Sequence, residues 1–127
     1  MTPEEIDPGV RSFVEALNKL PGVETVSSCD GIHNGANRGH VIFFYEGETP
    51  PWLEGILKHV EQEVGDSICL GCLRLKVHQD YHFDCANDLK GPAWWIEIIP
   101  RSDYGPSTED IQTVWDALTG AASAAVT

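Results

Sequence analysis

No stretch of this chain is long and apolar enough to cross a bilayer. The longest apolar runs, VIFFY at Val41–Tyr45 and PAWWI at Pro92–Ile96, fall far short of the ~20 residues a spanning helix needs. A basic leader is missing as well: the opening MTPEEIDPG is acidic and no apolar segment follows it. That excludes a secretory-signal pattern and sets the expectation of a cytoplasmic protein without membrane attachment. Positive charge is scarce, with 8 Lys and Arg against 20 Asp and Glu and a formal net charge of −12. A surface of that sign repels phosphate backbones, so nucleic acid is not an expected partner. Arg74 and Lys76 form the one closely spaced basic pair at strand-like alternation. Cysteine is sparse too. Four cysteines without a signal segment point to reduced thiols or metal ligands rather than a disulfide framework.

What is present describes a folded domain. The 127 residues, 42% of them apolar and with 4 tryptophans, suffice for a single hydrophobic core and exclude disorder. Val10, Phe13, Val14 and Leu17 recur at helical spacing, with Asp7-Pro8 as start signal and LPG at Leu20–Gly22 as stop. VETVSSC then reads as a strand, and HVIFFYE, apolar on both faces, as a central one. TPPW opens a second helix with Thr49 as cap, striped by Leu53, Ile56, Leu57, Val60 and Val64. LRLKVHQ alternates as a half-exposed strand and AWWIEII is a fourth, interior one. A third helix begins at Ser107, with Asp110 placed for an acidic capping box and Ile111, Val114, Trp115 and Leu118 as its stripe. The order α-β-β-α-β-β-α predicts an α+β fold, a two-layer sandwich of about four largely antiparallel strands with helices on one face. Residues 1–119 form the expected single domain, as monomer or homodimer, and GAASAAVT at 120–127 reads as a frayed tail.

Chemistry concentrates in two places. SSCDGIHNGANRGH at Ser27–His40 puts Cys29, Asp30, Gly31, His33, Arg38 and His40 into one connection between two strands. Residues 30–39 make it longer than an ordinary hairpin loop, and long hairpin loops are often functional. Its glycines, at 31, 35 and 39, do not match a phosphate-binding fingerprint, but they let backbone approach a ligand. Cys29 can be read as a nucleophile with His33 or His40 as base, or as a buried thiol leading into a turn that Asp30 and Asn34 satisfy. The second place is CLGCLRLKVHQDYHFDC, where Cys69, Cys72, His82 and Cys85 have the composition of a tetrahedral zinc site. His78 is an alternative ligand there. Cys69 and Cys72 also fit small buried residues at a strand start. Asp80, His82 and Asp84 alternate in what reads as a solvated turn or an oxygen–nitrogen metal site. The four tryptophans read as core, with one lining a pocket.

The run LPGVETVSSCDG followed by HVIFFYE resembles the start of small uncharacterised prokaryotic and phage proteins that carry L-P-G-x-x-T-x-x-S-C-x-G. More distantly it resembles the wybutosine-synthesising methyltransferase family with its S-C-S-G-R signature. The matching positions are Ser28, Cys29 and Gly31, while Asp30 stands at the second serine and Ile32 at the arginine. The resemblance spans about the first third of the chain. It implies an S-adenosylmethionine-dependent enzyme acting on a modified guanosine of transfer RNA.

Three expectations follow. The first is a small-ligand or metal binder using Ser28, Cys29, Asp30, Gly31, His33, Arg38 and His40. The second is a methyltransferase-like enzyme using S-adenosylmethionine. The third is a zinc-stabilised interaction module built on Cys69, Cys72, His82 and Cys85.

Overall fold

The computed structural model describes residues 6–32, 38–64, 73–83, 89–100 and 108–126. Along the chain run α1 (Arg11–Asn18), β1 (Val23–Cys29), β2 (Gly39–Tyr45), α2 (Leu53–Val64), β3 (Leu73–Phe83), β4 (Leu89–Pro100) and α3 (Thr108–Val126). The strands form one sheet in the order β1-β2-β4-β3, every neighbouring pair antiparallel. The chain is therefore an α+β protein with the expected element order. VIFFY and AWWIEII occupy the two interior strands, β2 and β4, as their apolar content predicts.

The helices pack on one face. Their stripes, Val10, Phe13, Val14 and Leu17 from α1 and its start, Leu53, Ile56 and Val60 from α2, and Ile111, Val114, Trp115 and Leu118 from α3, form one buried cluster. The sheet contributes Val41 and Phe43 from β2, Ile96 and Ile98 from β4, and Leu73 from β3. Registered pairing puts Val41 opposite Ile96 and Val77 opposite Ile96, so these inward residues line up across three strands. Among the described residues no helix is long and apolar enough to cross a membrane.

Four boundaries differ from the sequence reading, each for a physical reason. Helix α1 starts at Arg11, with Val10 at its cap position and no side-chain cap bond. Asp7 does not cap it: its carboxylate accepts the Asp30 backbone N–H at 3.1 Å. Helix α2 starts at Leu53, after a turn in which the Leu53 N–H donates to the Pro50 carbonyl at 3.2 Å. DYHF belongs to β3 rather than to a turn, because Asp80, Tyr81 and Phe83 pair with Ala93, Pro92 and Leu89. Finally, α3 runs through the alanine-rich end as far as Val126, with Ala121 and Ala122 buried in the core. Alanine is the strongest helix former, and here it lets the helix lie close to its neighbours.

Candidate functional site

Strand β1 changes face halfway along. Thr25 pairs with Phe43 but Ser27 pairs with Ile42, so Val26 is an extra residue in a β-bulge. Before it, Val23 and Thr25 share the helix-covered face with Tyr45 and Phe43. After it the alternation is inverted. Ser28 and buried Asp30 turn inward, while Ser27 and Cys29 point out beside Ile42 and His40. A bulge that re-aims side chains is a device common beside functional sites.

The outward face carries Ser27 and Cys29 from β1, His40, Ile42 and Phe44 from β2, Ala93, Trp95 and Glu97 from β4, and Lys76, His78 and Asp80 from β3. Ile42 and Ala93 are buried there, yet neither belongs to the helix-side core. Neighbouring side chains on the same face shield them. At the centre, Trp95 stacks on His78 with ring centroids 5.7 Å apart and lies 6.2 Å from the His40 ring. Its buried indole Nε1–H has no acceptor among the described residues.

A line of polar groups crosses all four strands. The Ser27 hydroxyl is 3.2 Å from His40 Nε2. His40 stands directly opposite Glu97 on the paired strand. Glu97 Oε2 is 2.7 Å from His78 Nε2. Both members of that last pair are only partly exposed, at 30% for the His78 side chain and 23% for Glu97. Burial lowers the His40 pKa below the ordinary imidazole value, and the opposing charges of Glu97 and Asp7 do not restore it. His40 is thus a neutral imidazole held beside a hydroxyl and facing a carboxylate.

Beneath this end of the sheet, Asp30 is an anchor. It is fully buried. Its carboxylate accepts the Gly9 N–H at 3.1 Å and the Ile32 N–H at 2.8 Å, and its carbonyl accepts the Trp115 indole N–H at 2.9 Å. Gln112 of α3 donates to the Gly9 carbonyl at 2.9 Å, closing the knot. Two glycines are required here by close approach. A Cβ on Gly31, whose φ is +78°, would lie 2.7 Å from the Arg38 carbonyl carbon. One on Gly39 would lie 2.7 Å from the Trp115 ring.

The residues picked out from sequence are therefore distributed. Cys29 and His40 share the outward face. Cys29 is half-buried, with its Sγ 4.0 Å from the Arg38 carbonyl oxygen. Ser28 and Asp30 face inward, Gly31 packs against backbone, and Arg38 is exposed where the loop enters β2. His33 lies outside the described residues, as do Cys69, Cys72 and Cys85, while His82 falls on β3. Among the described residues, no group of three or more His, Cys, Asp or Glu is placed to hold a metal ion. Ser27, Trp95, Glu97 and His78 complete the face; of these, sequence reasoning passed over Trp95 and Glu97 as polar-site residues, counted Ser27 only as the start of the loop, and considered His78 only as an alternative metal ligand. The available signal was a lone acid in AWWIEII, one that alternation puts on the same side as Trp95. Comparison with protein-family models, with curated proteins and with solved structures finds no match.

Proposed function

We propose that the chain binds a small organic molecule on the helix-free face of its sheet, along the line Ser27–His40–Glu97–His78 beside Trp95. The observation that carries this reading is the polar line itself, set on a face whose other central residues are apolar. A half-buried hydroxyl, an imidazole and a carboxylate provide directional contacts, and Trp95, Ile42 and Phe44 provide apolar area. Sites for small ligands combine these two elements. Carboxylates at Glu97 and Asp80, neutral His40 and the net charge of −12 disfavour an anion. The ligand class that fits is an uncharged or cationic compound with a flat ring.

Amide and indole NMR spectra recorded against a library of uncharged and cationic heteroaromatic metabolites test this. Binding should move the Trp95 indole signal and the amides of Cys29, His40 and Glu97 together, and Trp95→Ala should weaken it at least tenfold. A library that moves none of these signals, or only signals of the helix layer, would sink the proposal.

A further inference from the structure

We propose that Ser27 and His40 act as nucleophile and base in the hydrolysis of activated acyl esters, with Glu97 as the neighbouring charge that tunes His40. This rests on the reading of the helix-free face as the place where a small molecule binds. Acyl transfer needs a hydroxyl within hydrogen-bond reach of an imidazole. That is met by the 3.2 Å separation of Ser27 Oγ and His40 Nε2. Glu97 stands opposite His40 in the β2–β4 pair, where its negative charge acts on the imidazole, and it is held through Oε2 by His78 at 2.7 Å. With the ring hydrogen on Nδ1, Nε2 is left to accept the serine hydrogen.

The purpose of the bulge at Val26 is then explicit. In an unbulged strand Val26 would take the place opposite Ile42 and Ser27 would face the helices, away from His40. The groups around His40 are Glu97 from β4, Asp7 from the segment before α1, and Ser27 and Cys29 from β1, with Lys76 and His78 reaching the Glu97 end from β3. Burial keeps His40 neutral, which is the state a base requires.

The reaction balances without any cofactor. Ser27 Oγ adds to the ester carbonyl carbon as its proton passes to His40 Nε2, and the carbonyl electron pair moves onto oxygen. Collapse expels the alkoxide, which takes the proton from His40 and leaves as the alcohol, with Ser27 acylated. Water then repeats the sequence, giving the carboxylic acid and restoring the hydroxyl.

The test uses p-nitrophenyl acetate turnover and a fluorophosphonate probe with peptide mapping, on intact protein whose folding is checked by amide spectra. The expected result is turnover with one probe adduct at Ser27. The adduct disappears in Ser27→Ala, and turnover falls ~100-fold or more in His40→Gln. Glu97 acts on His40 through its charge, so Glu97→Gln carries a separate signature. Removing its charge should shift the acid limb of the rate–pH profile to lower pH, because that charge raises the His40 pKa. Turnover unchanged in folded Ser27→Ala, a probe adduct at Cys29 instead, or no reaction with either reagent would overturn the proposal. Ligand-induced shifts at Trp95 and His40 in a protein that hydrolyses nothing would leave the binding reading standing and remove only the catalytic one.

Discussion

A carboxylate that is fully buried and spent on backbone N–H groups stabilises a loop, and its removal should be felt in folding first. Asp30→Ala leaves the Gly9 and Ile32 N–H groups without their acceptor and should cost about 3 kcal/mol in urea unfolding. If Asp30 instead served mainly to contact a ligand, the same variant would unfold at the parent midpoint. Gly39→Ala places a methyl 2.7 Å from the Trp115 ring and 2.8 Å from the Asp30 carbonyl oxygen, and overpacking of that kind should cost ~2 kcal/mol. His40 has the opposite dependence from a salt-bridged histidine. Its folded pKa is lowered by burial, so the unfolded chain takes up its proton more readily. Stability must then fall as pH drops through the ordinary imidazole range near ~6.5 and be fully present above it. Equilibrium unfolding between neutral and mildly acidic pH should show that slope, and His40→Gln should flatten it.

Strands and helices were legible where a single period ran uninterrupted. Val10, Phe13, Val14 and Leu17 could only be one face of a helix, and VIFFY, with no polar alternation, could only be an interior strand. Because β2 pairs on both sides, the amides of Val41–Tyr45 should exchange among the slowest in the chain. Fast exchange there would contradict its interior position. The end of α3 was illegible for the converse reason: small residues carry little periodic signal, yet Ala121 and Ala122 are buried. Ending the chain after Gly120 should therefore cost about 2 kcal/mol, since each methyl group removed from the core contributes roughly 0.8 kcal/mol. The site was half legible. Cys29 and His40 stood out by residue type, whereas Ser27, Trp95, Glu97 and His78 are assembled by inter-strand register. No local pattern encodes the bulge at Val26, and without it VETVSSC reads with Ser27 and Cys29 on the side of Thr25.

At the scale of the whole molecule two asymmetries stand out, one of charge and one of layering. A net charge of −12 repels itself in the compact state, and salt screens that repulsion over roughly 10 Å at 0.1 M. Raising sodium chloride from about 0.02 M to about 0.5 M should lift the melting temperature by several degrees by calorimetry, and a flat response would mean that paired charges offset the excess. The layering asymmetry depends on one residue of length in β1. Substituting any side chain downstream of Val26 changes what one side of the sheet displays. Deleting Ser28, past the bulge, would exchange the two sides for Cys29 and Asp30 at once, sending the anchoring carboxylate outward and the thiol into the core, whereas deleting Val26 would leave Thr25 and Ser27 in regular alternation with their present facing. Here chain length, and not residue identity, is the variable that separates what holds the molecule together from what it shows to its surroundings. Single-residue insertions and deletions after Val26 should therefore be far less tolerated than substitutions at the same positions.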